Sequence, residues 1–265
     1  MKNKIISMVT LFTVLLTSAV PVPAMAAKAV TTPSAKISKN TDKVQHRVTV
    51  NSENGTRTFR VFEQNAYGKK SYIAQHGCAV CSLTTVLSGY SKKYANYTPK
   101  KTYTILEKKV FGTRVWKSNY KKSLRSQMPV SLYGISKVLK ACGIKNKYVR
   151  YFKDAQAIRQ ITNHLKTGNA VVIEVNNHQQ KNGKISSKYD SRWSSSKHTM
   201  ALLGLTNNGK VIVADSANRS WSGSRQRIKF ATVSHLVKYM IPCKSSSTSC
   251  YYTSVRVNGG YILVN

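Results

Sequence analysis

Cys78 is the residue of this chain that is best placed to act as a nucleophile. It follows Gly77, which allows a tight turn, and it stands just before a helix that the apolar spacing predicts over Cys81–Tyr90. A thiol attacks a carbonyl group as its thiolate, and the positive end of a helix or an adjacent imidazole favours that thiolate. The five cysteines are an odd number, so pairing within the chain leaves at least one thiol free to react.

An activated thiol needs an imidazole on a rigid element, and His198 fits that role best among the six histidines. It opens a predicted strand, Thr199–Leu205, from which its side chain can be aimed into a cleft. His76, next to the cysteine segment, is the alternative. Asp215 ends the following predicted strand, Val211–Ala214, and is the only acidic residue after His198. We expect Asp215 to hold the imidazole in one tautomer and to stabilise imidazolium.

The turn between these two strands decides whether His198 and Asp215 can meet. Asn208-Gly209 is a strong hairpin signal, but a strict two-residue turn there pairs Asp215 with Leu202. The imidazole and the carboxylate would then lie about 13 Å apart, at roughly 3.4 Å per residue. We therefore expect a wider turn centred near Thr206-Asn207. In the alternative interpretation, Asp215 simply caps a turn.

The remaining pattern predicts helices first and strands later. It indicates a strand over Thr56–Glu63, a helix over Ser131–Ala141 and a helix over Asp154–Leu165 that is capped by its first residue. An apolar run rich in β-branched residues, Ala170–Ile173, indicates a buried strand that nears its exposed end at Glu174. This order favours an α+β fold over an alternating α/β sheet.

The N-terminus has the features of a secretory signal peptide. Lys2 and Lys4 precede an uncharged run, Ile5–Val20, and Ala24-Met25-Ala26 supplies the small residues of a cleavage site. That run of about 16 residues is shorter than the roughly 20 that a membrane span needs, and we predict no transmembrane segment. We therefore predict a secreted protein, with a signal peptide at 1–26. Residues 27–54, poor in large apolar side chains, are predicted to be a linker or pro-segment, and one domain follows at 55–265.

The charge of the chain is strongly positive, with 43 Lys and Arg against 8 Asp and Glu, a net charge of +35. A charge of this size bears on partners and solubility rather than on the fold. Outside a cell the candidate anions are cell-wall polymers, membrane lipids, acidic substrates and nucleic acid; alternatively, the charge is spread over a solvated surface. No recognisable nucleic-acid-binding module accompanies it, so no specific nucleic-acid partner is predicted.

Cys78 and Cys81 have the spacing of metal ligands, but the sequence offers no second pair with matching spacing. No metal and no cofactor are therefore predicted.

Three segments resemble the bacteriocin-processing-type (family C-thirty-nine-like) peptidases. Gly77–Ser88 resembles their nucleophile segment, Gly168–Ile173 resembles the strand before the histidine, and His198–Asp215 resembles the histidine strand, turn and strand ending in aspartate. The resemblance runs from about Gln64 to Asp215. It implies a papain-like cysteine peptidase fold, with N-terminal helices packed on a C-terminal antiparallel sheet, and a peptide or protein substrate. It also implies that Cys78, His198 and Asp215 are the catalytic residues.

Two registers are open within this resemblance. If Cys78 is the nucleophile, Gln64 matches the upstream glutamine of these proteins; if Cys81 is the nucleophile, Gln75 lies six residues ahead of it. Either glutamine would donate a hydrogen bond to the oxyanion, a contribution of about 3 kcal/mol. We favour Cys78 because Gly77 and the residues after Cys81 then match the family.

Three functional hypotheses follow. The leading one is peptide-bond hydrolysis through a thioester at Cys78. The second is a catalytically weak wall-binding module on the same fold, suggested by the charge and by Ala79-Val80, which stands where the family has Gly-Pro. The third is a thiol–disulfide oxidoreductase that uses Cys78 and Cys81, although no thioredoxin-like βαβ pattern surrounds them.

Overall fold

The computed structural model describes residues 34–39, 44–67, 73–74, 77–106, 131–176, 197–217, 228–240 and 259–265. The strands are β1 (Ser34–Lys39), β2 (Val44–Ser52), β3 (Gly55–Phe62), β4 (Asn146–Val149), β5 (Val171–Asn176), β6 (Lys197–Leu205), β7 (Val211–Ala214), β8 (Ile228–Ala231) and β9 (Tyr261–Val264). The α-helices are α1 (Cys78–Tyr90), α2 (Pro99–Leu106), α3 (Leu132–Ala141), α4 (Asp154–Lys166) and α5 (Val233–Tyr239). The predicted signal peptide at 1–26 lies outside the described residues.

Two antiparallel sheets organise these elements. A three-stranded sheet has the order β1-β2-β3, and a six-stranded sheet has the order β4-β9-β5-β6-β7-β8. Strand β9 pairs with both β4 and β5, so it is the second strand from one edge of the larger sheet. The fold is α+β, as predicted. The predicted order of helices first and strands later does not hold, because β1, β2 and β3 precede α1 and α5 lies between β8 and β9.

Helix α1 lies at the centre of the fold. It packs on β3 on one side and on β6 on the other, and every side chain from Ala79 to Ser88 is buried. A helix buried on all sides must satisfy its polar groups internally. Thr84 Oγ1 donates to the carbonyl oxygen of Val80 at 2.7 Å, and Ser82 Oγ donates to that of Thr199 at 3.1 Å. The second bond joins the helix to β6.

The six-stranded sheet is covered on both faces, which explains the continuous apolar run in β5. Val172 packs in the core shared with α1, α2, α3 and the smaller sheet. Its neighbours Val171 and Ile173 pack in a second core with α4 and α5. The predicted exposed end of the strand at Glu174 is wrong. Strand β5 continues to Asn176, and Glu174 is only 6% exposed.

The N-terminal strands differ from the linker pattern seen in the sequence. Residues 34–39 and 44–52, within the stretch predicted to be a linker or pro-segment, form β1 and β2. Val48 and Val50 of β2 are buried in the core, and a Cβ added at Gly204 of β6 would lie 3.2 Å from the Val50 methyl groups. Strand β2 therefore packs on β6. The assignment of residues 27–54 as a linker or pro-segment stays a prediction.

The predicted helices begin and end within three residues of the observed ones. Ser131, predicted as the first residue of its helix, is the cap of α3, and its side chain accepts a hydrogen bond from the backbone N–H of Gly134 at 3.1 Å. The prediction that Asp154 caps α4 is wrong, because Lys153 is the cap residue. Asp154 lies in the first turn instead, where its charge complements the helix dipole. Among the described residues, no helix has the length and hydropathy that crossing a membrane requires.

Candidate active site

Cys78 is the first residue of α1, three residues earlier than the predicted helix start. A Cβ added at Gly77, the residue before the helix, would lie 2.1 Å from the carbonyl oxygen of Ile73. Only glycine fits such a close approach. The tight turn places Cys78 at the positively polarised end of the helix, with its side chain half-buried.

His198 and Asp215 form a buried hydrogen-bonded pair. Nε2 of His198 lies 2.7 Å from Oδ1 of Asp215, and the two side chains are 3% and 0% exposed. The imidazole has two nitrogens, so Nδ1 is the one that remains for another partner. The structure thus brings His198 and Asp215 together, as the sequence pattern required.

Two departures from a strict hairpin make this pair possible. The turn spans Thr206 to Lys210, with the backbone N–H of Thr206 donating to the carbonyl oxygen of Lys210 at 2.8 Å. Leu203 is an extra residue in β6, because the register shifts between Leu202 and Gly204. The turn is wider than two residues, as expected, but its centre lies at Asn208 and not near residues 206 and 207, because the bulge supplies part of the shift. Ala214 pairs with Ala201, so Asp215, the next residue, lies level with a position on β6 that is only about 7 Å along the strand from His198.

The Cys78 thiol meets the imidazole at the end of α1. It hydrogen-bonds with the His198 side chain and with the backbone of Thr199. Burial works to raise the pKa of Cys78, but the hydrogen bond and the positive charge of His198 outweigh it and lower this pKa below its usual value. The charge of Glu174 opposes that lowering.

The imidazole is shifted in the opposite direction. Burial works to lower the pKa of His198, but the charge and hydrogen bond of Asp215, together with Cys78, raise it to about 10. The lowered pKa of Cys78 and the raised pKa of His198 favour thiolate and imidazolium over the neutral thiol and imidazole. Such a pair supplies a nucleophile and a proton donor side by side.

Asp215 is held by three donors. Oδ1 accepts from His198 and from the backbone N–H of Ala217 at 2.9 Å, and Oδ2 accepts from Nζ of Lys229 at 2.5 Å. Burial works to raise the pKa of Asp215, but the charges and hydrogen bonds of His198 and Lys229 bring it well below its usual range. The carboxylate is therefore ionised across the physiological pH range.

Cys81, the alternative nucleophile, has a different environment. It is 1% exposed and packs against Phe62 and Ile73. Burial and the charge of Cys78 raise its pKa far above the usual thiol value, in spite of a hydrogen bond with Ser216. This thiol is therefore protonated at neutral pH, which favours the register with Cys78. Gln75, the glutamine of the other register, and the alternative base His76 lie outside the described residues.

Gln64 connects the segment before α1 with the turn after β7. Its Nε2 donates to the carbonyl oxygen of Ala74 at 3.0 Å, and its Oε1 accepts from Oγ of Ser216 at 3.1 Å. Its backbone N–H also donates to the carbonyl oxygen of Ser216 at 3.0 Å. The side-chain amide is thus fixed between two segments that adjoin Cys78 and Asp215. An amide has two N–H groups, so one remains beyond the bond to Ala74.

Two charged residues of the site were not identified from the sequence. Lys229 lies on β8, a strand that the pattern did not predict, and the sequence gives no signal that it meets Asp215. Glu174 was noticed only as an interruption of an apolar run. Within the part of the chain that the structure describes, no group of three or more His, Cys, Asp or Glu side chains could hold a metal ion.

The comparison with family models agrees with this geometry. The model of the Peptidase_C39 like family matches residues 56–241, which include Cys78, His198 and Asp215. The chain belongs to this family of peptidases. No curated protein matches the chain.

Proposed function

We propose that this protein is a papain-like cysteine peptidase that hydrolyses peptide bonds through a thioester at Cys78. The observation that supports the proposal is the continuous hydrogen-bond chain from the Cys78 thiol through His198 to Asp215. It unites a lowered thiol pKa, a raised imidazole pKa and a buried carboxylate at one helix end, as covalent catalysis by cysteine requires.

The proposed reaction uses each residue in turn. The thiolate of Cys78 attacks the carbonyl carbon of the scissile bond and forms a tetrahedral oxyanion. His198 imidazolium then donates its proton to the leaving amine, and the C–N bond breaks to leave a thioester. Neutral His198 next takes a proton from water, whose oxygen attacks the thioester and releases the acid and the thiolate. Asp215 keeps the ring oriented and stabilises imidazolium throughout.

Gln64 is the proposed oxyanion donor in this scheme. Its amide is fixed by Ala74 and Ser216, and an N–H group of this kind stabilises the charge that develops on the carbonyl oxygen.

We also propose that the protein is secreted by a signal peptide at 1–26. The basic n-region, the uncharged run and the small-residue cleavage site support this part of the proposal. The net charge of +35 makes anionic cell-wall polymers the proposed surroundings of the enzyme.

The two other hypotheses gain no support. A wall-binding module does not need a thiol–imidazole–carboxylate chain, and an oxidoreductase needs a second reactive thiol, whereas the pKa of Cys81 is raised.

The test is cleavage of a peptide library prepared from a proteome digest, with new termini detected by mass spectrometry. The wild-type chain is expected to cleave a subset of peptides, and Cys78→Ala to lose this activity by at least about a thousandfold. Cys81→Ala, three residues away, is the matched control and should retain it. Equal cleavage by the wild type and Cys78→Ala would contradict the proposal.

A further inference from the structure

Lys229 is a side chain in direct contact with the candidate active site to which the proposed reaction assigns no step. Its Nζ lies 2.5 Å from Oδ2 of Asp215, and the lysine is only 16% exposed. The carboxylate itself is 0% exposed. A lysine in this position gives up much of its hydration, which an adventitious surface pairing does not require.

The strand register explains how Lys229 reaches the carboxylate. Strand β8 pairs with β7 so that Lys229 lies opposite Val213. Side chains two residues apart on a strand share a face, so Asp215 follows Val213 on the face to which Lys229 belongs. Lys229 and Asp215 are therefore diagonal neighbours on adjacent strands, and this register brings their side chains into contact.

The two oxygens of Asp215 have separate donors. Oδ1 accepts from Nε2 of His198 and from the backbone N–H of Ala217, whereas Oδ2 accepts from Lys229. A carboxylate that is bound through both oxygens cannot rotate without breaking a bond, so the oxygen that faces the imidazole is fixed.

We propose that Lys229 is a positioning residue, which keeps Asp215 ionised and oriented so that Asp215 can stabilise the imidazolium of His198. The inference rests on the proposed function, because it assigns a role within the same site. Lys229 acts through Asp215 and does not touch the reacting atoms.

The charges of the site support this role. The thiolate of Cys78 and the carboxylate of Asp215 carry two negative charges, of which the imidazolium of His198 balances only one. The positive charge of Lys229 balances the other, so the group of Cys78, His198, Asp215 and Lys229 is neutral overall. Glu174 of β5 is the further acid that acts on the Cys78 thiol.

Removal of the lysine has a predictable sign. Without Lys229, burial disfavours the charged form of Asp215 with less opposition, so its pKa rises. Asp215 then becomes protonated at a higher pH and stabilises imidazolium less, so the thiol of Cys78 loses part of the effect that lowers its pKa. The thiolate then forms only at higher pH.

The experiment measures the rate of Cys78 alkylation by iodoacetamide between pH 3 and pH 10, with the labelled residue identified by mass spectrometry. In Lys229→Met, which keeps an unbranched side chain one atom shorter and without charge, the acid limb should move to higher pH by about one unit or more. Lys229→Arg keeps the charge and should restore a profile near that of the wild type. Lys229→Gln, which can still donate a hydrogen bond, provides a second neutral variant if the Met variant does not fold.

The same variants in an Asp215→Asn background separate positioning from a merely structural role. If Lys229 acts through Asp215, Lys229→Met adds no further shift to Asp215→Asn. An equal shift in both backgrounds would overturn the inference, as would a profile of Lys229→Met that superimposes on the wild type. A wild-type Cys78 that titrates as an ordinary thiol would instead contradict the proposed function itself, so the two failures are distinguishable.

Discussion

Cys78 and Cys81 lie within one turn of each other at the N-terminal end of α1, yet their thiols have opposite properties. Cys78 retains solvent access and has a lowered pKa, whereas Cys81 is 1% exposed and has a strongly raised pKa. Burial raises the pKa of both. The difference comes from the partner, since Cys78 meets the cation of His198 and Cys81 packs against Phe62 and Ile73.

This difference shows what activates a thiol in this fold. Both cysteines lie in the first turn of the same helix, where the dipole favours a negative charge by about 1 kcal/mol or less. That contribution does not offset the burial of Cys81. A neighbouring imidazolium, held in place by Asp215, is what lowers the pKa of Cys78.

The largest effect is expected from Asp215→Asn. The pKa of His198 should fall because its counter-charge is lost, and the Cys78 pKa should rise in response. We expect kcat to fall by about a hundredfold or more, with the alkaline limb of the pH profile at lower pH. Initial rates on a peptide cleaved by the wild type measure this change. Asp154→Asn, at an exposed acid in the first turn of α4, is the control. A loss of less than threefold in Asp215→Asn would contradict the role of Asp215.

The next effect concerns stability and pH. Between about pH 6.5 and pH 8.5 the folded pair holds one proton, on the imidazolium. The unfolded chain also holds one proton in this window, on the thiol, since its imidazole is neutral. This site therefore adds no pH dependence to the wild type in that window. In Cys78→Ala the folded protein keeps the His198 proton that the unfolded chain has lost. Its stability should fall with rising pH by up to about 1.4 kcal/mol per unit, until the pKa of the folded histidine is passed.

Urea denaturation of the two proteins at several pH values provides the measurement. Cys81→Ala is the control, and it should follow the wild type because Cys81 is protonated throughout this window. Parallel curves for the wild type and Cys78→Ala would show that Cys78 is an ordinary neutral thiol.

A smaller effect is expected from Glu174→Gln. The charge of Glu174 raises the pKa of Cys78, so its removal should lower this pKa further, by up to about one unit. Alkylation of Cys78 on the acid limb should become several-fold faster, with the limb at lower pH. Glu53→Gln, in the exposed turn after β2, is the matched control. Slower alkylation in Glu174→Gln would reverse the sign assigned to Glu174.

The smallest effect is expected from Cys81→Ala. The substitution removes one sulfur atom from a buried apolar cluster, so the free energy of unfolding should fall by about 1 kcal/mol. Alkylation of Cys78 should remain within about twofold of the wild type, because a protonated Cys81 exerts no charge on it. Loss of fast alkylation in this variant would move the nucleophile to the Cys81 register.

The sequence was sufficient for the parts of the site that depend on local pattern. A glycine before an apolar helix predicted the placement of Cys78, and a hairpin signal between two apolar strands predicted that His198 and Asp215 come from neighbouring strands. These features follow from turn chemistry and periodicity, which are properties of short segments.

The parts that it missed depend on tertiary contacts. The bulge at Leu203 moves Asp215 by one residue along β6, and a bulge has no local signal in an apolar strand. Residues 47–50 of β2 alternate between half-buried and buried and include few large side chains, so Val48 and Val50 did not stand out from a linker. Lys229 meets Asp215 only because β8 pairs with β7 in one register.

The most direct test of the account is the reactivity of Cys78 towards iodoacetamide across pH, in the wild type and in His198→Gln. We expect fast labelling of Cys78 in the wild type well below the usual thiol pKa of about 8.5, and little labelling of Cys81. In His198→Gln this reactivity should be lost, and the labelling of Cys78 should follow an ordinary or raised thiol pKa. Fast labelling that persists in His198→Gln, or its absence from Cys78 of the wild type, would contradict the thiolate–imidazolium pair.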